Sequence, residues 1–243
     1  MNVMAGNGRA PKVVAARSLV EAAYETIRAD LLNGDLAPGT KLRFEMLRER
    51  YGFGASTLRE ALTRLVGEAL VTSEEQRGFR VAAISLEDFG DLTRTRKLIE
   101  VEALRQAILF GDDAWEASLV ATFHRLSKVE EKLAEGPERQ QDEFEERNRD
   151  FHYALIAACP SRWLKHMHGI LFQQSERYRR ISLCNKIEPR DIHAEHKAVL
   201  DAVLARDVDL ACRLEGEHID KTLEILSRVL ETSATPGETE KSR

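Results

Sequence analysis

The sequence is poor in everything that would place a protein in a membrane or hold it together by disulfides. Among 243 residues there are three cysteines, Cys159, Cys184 and Cys212, widely spaced and without a C-x-x-C pair. An odd, scattered set argues against a disulfide framework and fits a reducing cytosol. The longest fully apolar run, Ala154 to Cys159, is six residues, against roughly 18 or more for a helix that crosses a bilayer. Met1 to Pro11 is small and polar, with no apolar block of the kind that opens a secretion signal. A cytoplasmic protein with no membrane partner is therefore expected. There is no HExxH, no GxSxG and no glycine-rich phosphate loop, and no evident general base stands beside the histidines described below. A metal-dependent helical hydrolase or lyase is thus a weak alternative, and no enzyme is expected.

Aromatics make up 6% of the chain and prolines number six, so long stretches can run as uninterrupted helix. Hydrophobic residues make up 43% and charged residues 32%, enough to bury a core in one large or two modest domains. The net charge of −5 is unevenly spread. Residues 1–84 hold 12 Lys and Arg against 10 Asp and Glu, while the remainder holds 24 against 31. The two parts meet different partners or different solvents.

Residues 1–16 read as a flexible arm. Ser18 is a candidate N-cap with Glu21 three residues on, and Leu19, Ala22, Ala23, Ile27, Leu31 and Leu32 follow at helical spacing until Asn33-Gly34. A second helix is predicted from about Arg43 to Tyr51, and a third capped by Ser56, with Leu58, Ala61, Leu62 and Leu65 on its apolar face. Val71-Thr72 and Phe79-Arg80-Val81 read as two short strands. Three helices and a hairpin make a winged helix-turn-helix over residues 17–84. Residues 85–231 read helical throughout, as 88–110, 113–135, 138–159, 161–182, 189–205 and 207–230, and 232–243 as a flexible polar tail. The expected fold is mainly α: an N-terminal winged helix-turn-helix plus a C-terminal antiparallel all-helical bundle.

A recognition helix needs small or hydroxylated residues near its start and long cations that reach base edges in the major groove. Ala55-Ser56-Thr57-Leu58-Arg59-Glu60 supplies both. Six cations, among them Arg43, Arg48, Arg59 and Arg64, face three acids between Lys41 and Arg64. Arg59 is the candidate for a bidentate guanine contact, Ser56 and Thr57 for phosphate, and Arg77, Gly78 and Arg80 for a wing along the backbone. The competing reading is a solvated helix face on which Ser56 is only a cap.

Gly34-Asp35-Leu36-Ala37-Pro38-Gly39-Thr40-Lys41-Leu42, Leu58-Arg59-Glu60-Ala61-Leu62, Glu68-Ala69-Leu70-Val71 and Arg77-Gly78-Phe79-Arg80-Val81 together resemble the GntR family of bacterial transcription regulators. That family usually enters the recognition helix through Ser-Arg-Thr-Pro. Here Ala55 stands in the arginine's place, which removes one cation. The resemblance implies a homodimer that binds an inverted-repeat operator in double-stranded DNA, most often as a repressor.

Seven histidines lie at 124, 152, 166, 168, 193, 196 and 218. Asn148 and His152 form an i, i+4 pair on one helix face, and His196 and His218 sit on the last two predicted helices. Together they are a candidate set of three imidazoles and one oxygen. By spacing alone, buried or surface histidines with no ligand role are the alternative. Asn148-Arg149-Asp150-Phe151-His152, Glu195-His196-Lys197-Ala198-Val199-Leu200 and Glu217-His218-Ile219 resemble three motifs of the FCD ligand-binding domain, which follows the winged domain in the FadR subfamily. What the resemblance implies is an Asp and three His holding a metal beneath a small acidic effector. The family's aspartate aligns with Asn148. The inferred ion is zinc, with nickel or manganese open, since three nitrogens and one oxygen do not choose among them.

Arg96 matches the arginine of the family's R-x-x-(I/L)-E stretch. It either faces the effector or makes an i, i+4 salt bridge with Glu100. Arg177 and Arg180, one turn apart, are candidates for a second carboxylate fork, so the expected effector is a small mono- or dicarboxylate. A bundle that only dimerises, with structural histidines, is the remaining alternative.

Overall fold

Ser18 caps the first helix as expected: its Oγ accepts a hydrogen bond from the Glu21 amide at 3.2 Å, satisfying one of the unpaired N–H groups at the helix start. The computed structural model describes residues 18–74, 78–133, 140–184 and 190–234. The candidate arm at 1–16, Arg77, Gly136-Pro137 and Pro189 lie outside the described residues. Internal contacts divide the chain after Ala82.

In the first unit, α1 (Leu19–Leu32), α2 (Phe44–Tyr51) and α3 (Ala55–Gly67) stand beside a small sheet of β1 (Lys41–Leu42), β2 (Val71–Glu74) and β3 (Gly78–Val81). The strand order is β1-β3-β2, all antiparallel, with Lys41 opposite Arg80 and Thr72 opposite Arg80 on the other side. The two-residue β1 was missed in the sequence, because a pair of residues carries no period. Gly52 closes α2 at φ 74°, a left-handed value that costs glycine nothing. One cap differs from expectation. The N-cap of α3 is Gly54, and Ser56 is the second residue of the helix. The Gly52-Phe53-Gly54 connection is short enough that the helix begins two residues early. Ala23, Ile27, Leu47, Leu58, Leu62 and Leu65 are fully buried in the core.

The second unit holds α4 (Leu86–Phe110), α5 (Asp113–Leu133), α6 (Gln141–Leu155), α7 (Arg162–Cys184), α8 (Ile192–Leu204) and α9 (Val208–Ala234). Ser85 caps α4 by accepting from the Asp88 amide. The last helix runs three residues into the segment expected as a tail, and residues 235–243 lie outside the description. Helix α6 ends four residues short of expectation, because Ile156 to Cys159 turn ahead of Pro160. α4 packs on α7 and α9, α5 on α6 and α8, and α8 on α9. Leu104, Leu119, Leu126, Phe151, Leu155 and Val203 fill the core between them. Trp115 is buried, its Nε1 donating to the Ala154 carbonyl at 2.8 Å. Trp163, expected to be a packing residue, is 62% exposed. At the start of the unit Phe89 on α4 stacks on Tyr178 of α7, centroids 4.1 Å apart.

Candidate functional site

On α3 the period of 3.6 separates two faces. Leu58, Ala61, Leu62 and Leu65 turn into the core, while Ser56, Arg59, Glu60 and Thr63 are exposed and Thr57 is half-buried. Arg59 lies 5.1 Å above the Phe44 ring, a cation–π contact that extends the side chain along the surface while leaving its N–H groups free to donate. Arg43 and Arg48 are exposed at the two ends of α2. Arg64 is different. Its Nη1 is 2.6 Å from Glu21, and its guanidinium covers the Tyr24 ring at 3.9 Å, so it ties α3 to α1. Gly78 is exposed and opens β3 at φ 92°. Arg80 donates to the Gly39 carbonyl at 2.6 Å, which braces the strand against the Pro38-Gly39 turn.

In the second unit, His152 of α6, His196 of α8 and His218 of α9 come together, one ring nitrogen of each within 4.8 Å of the others. His152 and His196 are fully buried, or nearly so, and His218 is 9% exposed. Each imidazole has a carboxylate on Nδ1. Glu100 Oε1 is 2.9 Å from His152, Glu130 Oε1 is 2.6 Å from His196 and Glu195 Oε2 is 2.8 Å from His218. An Nδ1–H that donates to a carboxylate leaves Nε2 as the lone-pair nitrogen, the tautomer a metal ligand needs. The Nε2 atoms of His152 and His196 are buried without a hydrogen-bond partner. Burial also holds both His196 and His218 below the ordinary imidazole range, with neighbouring imidazoles adding to it, against the pull of their carboxylates. Neutral rings can bind a cation; imidazolium rings cannot. For Glu195, burial alone would raise the pKa. Hydrogen bonds from His218 and Arg190 outweigh it and keep the group ionised.

Asn148 is buried one turn before His152 on α6. It lines, with His196 and His218, a cavity of about 300 Å³ that also has Arg179, Arg190 and Thr222 in its wall. The donor set therefore fits a divalent transition metal: three imidazoles, two of them with orphaned nitrogens, and an amide beside them.

The arginines do not fall where the sequence placed them. Arg96 is 4% exposed, with its Nε 2.7 Å from Glu100 and its guanidinium over Phe172, so the i, i+4 salt bridge holds and the cavity contact does not. Arg177 is buried, and burial weakens its hold on its proton. Arg180 donates to Glu176 and, at 2.7 Å, to Asp142. None of the three lines the cavity. Arg179 does, with Ser182 and Leu183 one turn on, because the cavity face of α7 is rotated by one residue from the face assumed. Arg179 grips Glu145 through Nε and Nη2. Arg190 donates to both oxygens of Glu195, to Thr222 and to the His218 carbonyl. Arg190 lies just ahead of α8, not within it as a helix from residue 189 would place it, and no motif marks it as a site residue.

His193 shares Glu130 with His196: its Nδ1 is 2.8 Å from Oε2. The carboxylates Glu100, Glu130 and Glu215 were missed as well, though all three sit in the apolar stripes of their helices, where an unpaired acid is costly.

Comparison with known proteins follows the same division. Residues 19–81 match the family described as bacterial regulatory proteins, gntR family, and residues 91–221 match the FCD domain. The uncharacterized HTH-type transcriptional regulator BphR of Paraburkholderia xenovorans (strain LB400) is 43% identical over 210 residues, 86% of each chain. The HTH-type transcriptional repressor GlaR of Escherichia coli (strain K12) is 36% identical over 211 residues, 85% of this chain and 95% of that one. The solved structure of E. coli McbR/YncC superposes with a TM-score of 0.68 at 22% identity, covering 88% of this chain and 99% of that one. This last likeness is one of fold alone.

Proposed function

The chain belongs to the GntR family of bacterial transcription regulators and carries an FCD domain, and from that premise we propose that a small organic acid, bound beside a divalent metal in the helical unit, sets how tightly the protein holds its operator. The protein acts as a repressor, the mode named for the 36%-identical relative. It works as a homodimer, presenting two α3 helices to an inverted repeat. Arg59 reads guanine, Ser56 and Thr57 hold phosphate, Arg43 and Arg48 supply flanking charge, and Arg77 and Gly78 contact the backbone.

The observation that carries the sensor is the convergence of three carboxylate-backed imidazoles, two of which, His196 and His218, line a cavity that also holds two arginines. His152, His196 and His218 would hold the ion, with Asn148 as a neutral oxygen donor and zinc as the first choice. When bound, the metal supplies a Lewis-acidic centre for a carboxylate oxygen. Asn148 adds no charge. The balancing negative charge stands one layer further out, on Glu100, Glu130, Glu195 and Glu215. Arg179 and Arg190 supply the positive wall that suits an acidic ligand. Effector and DNA affect each other's binding by the same factor, because the coupling is thermodynamic.

The deciding experiment is thermal unfolding of untagged protein across a panel of small mono- and dicarboxylates, each with and without chelator. A rise in Tm produced by one acid and abolished by chelator is the expected result. No response to any acid, and none to chelator, overturns the sensor and leaves the bundle as a dimerisation element.

A further inference from the structure

His152 also belongs to a second polar cluster, with Glu100, Glu215, His168 and Arg96, and none of the five lines the cavity. Glu100 on α4 and Glu215 on α9 are each 1% exposed. Their Oε1 atoms lie 2.9 and 3.2 Å from the same atom, His152 Nδ1, so one N–H stands between two carboxylates. Glu100 has further support. Arg96 Nε is 2.7 Å from its other oxygen, and His168 Nε2 is 3.3 Å from Oε1. Glu215 has less: the 3.2 Å approach of Oε1 to His152 Nδ1 falls short of hydrogen-bond geometry, Oε2 has no partner, and Nδ1 of the fully buried His168 is unbonded too. A carboxylate taken out of water with no donor must find a proton or a cation.

The geometry suits a cation. One ligand atom from each of Glu100, His152 and Glu215 lies within 4.8 Å of the other two. A four-coordinate ion with bonds of about 2.0–2.2 Å sets its ligands about 3.3–3.6 Å apart, so the two separations around Nδ1 need open by only about half an ångström.

We propose that Glu100, His152 Nδ1 and Glu215 form a second divalent-cation site, which shares His152 with the first across the two edges of its ring. Loading it sends the Nδ1 proton to solvent and leaves His152 as an imidazolate between two ions. The charges then balance locally. Two carboxylates and the imidazolate offset the second ion and the Arg96 guanidinium. Mixed carboxylate and imidazole ligands suit zinc or manganese(II). The site shares with the sensor reading only the assignment of His152 as a ligand.

The test is the metal content of the full chain after equilibration with excess zinc, or separately manganese(II), and exchange into metal-free buffer. Wild type is expected to retain two ions per chain. Glu215→Gln and the near-isosteric Glu215→Leu should retain one, His196→Ala one, and His196→Ala with Glu215→Gln none. One ion in wild type overturns the second site, as does a content of two that neither Glu215 variant lowers, or ions still held by the double variant. If the Glu215 variants fail to fold, as judged by circular dichroism, His196→Ala decides: one ion retained supports the second site and none overturns it. An ion lost in His196→Ala but kept in Glu215→Gln leaves the sensor standing whichever way the second site falls.

Discussion

The two units put their polar chemistry in opposite places. Among the described residues of the winged unit every buried side chain is apolar or alanine, and the candidate DNA contacts are exposed or half-buried. Among its described residues the helical unit buries 18 that are polar or charged, including three arginines, five glutamates and four histidines. A surface that reads DNA can be altered without touching the core beneath it. A sensor built in the interior cannot, because the groups that would bind the ligand also hold the helices together through Glu100, Glu130 and Glu195. Stability and function are separable in the first unit and joined in the second.

The largest effect that would break this contrast comes from the winged core. Leu62 is fully buried, so Leu62→Ala should destabilise the protein by about 2–5 kcal/mol, read by denaturant unfolding. Its operator affinity should fall only to the extent that the unit unfolds. Arg59→Ala should weaken operator binding by about 1–3 kcal/mol and relax specificity at one base pair. Its melting temperature should stay that of wild type, and a lowered one would end the separation of surface from core. Glu130→Gln should lower metal affinity by roughly 10–100-fold, the usual cost of losing a carboxylate behind a histidine ligand. It should also lower the Tm of the metal-free protein, because one carboxamide oxygen cannot replace both of the oxygens that face His193 and His196. A variant that loses metal at unchanged apo stability would show that the helical unit, too, keeps the two apart. Asn148→Asp should give the smallest change, a few-fold tighter metal retention against chelator on the scale of about 1 kcal/mol for a partly screened charge. Equal or weaker retention would remove Asn148 from the ligand set.

The contrast also explains what could be read from the sequence. An apolar core beneath an exposed basic face is what helical periodicity records, so α1, α2, α3 and the hairpin were legible, with only the two-residue β1 and the cap of α3 missed. In the helical unit, the elements and the three histidines were legible from spacing and resemblance. The acids behind the histidines were not, because Glu100, Glu130 and Glu215 belong to three different helices and only folding brings them to one place. Yet each was marked. Glu100 falls in line with Phe89, Thr93, Arg96 and Ala103, and Glu130 follows Leu119, Leu126 and Val129, so an acid on a buried face signals a partner. The wrong arginines were chosen on α7 because Arg177, Arg179 and Arg180 are adjacent, and a rotation of one residue decides which of them meets the cavity.

That adjacency couples α7 to the first turn of α4. Tyr178 stacks on Phe89 and its hydroxyl is 3.2 Å from Asp88, while its neighbour Arg179 stands in the cavity wall. A helix turns as a stiff rod, so any rotation of α7 that re-aims Arg179 swings Tyr178 through the same angle. Phe89, stacked against it, stands in the opening turn of α4, three residues after the helix begins at Leu86. Stacked face to face, the two rings carry a turn of α7 at Arg179 to the opening turn of α4.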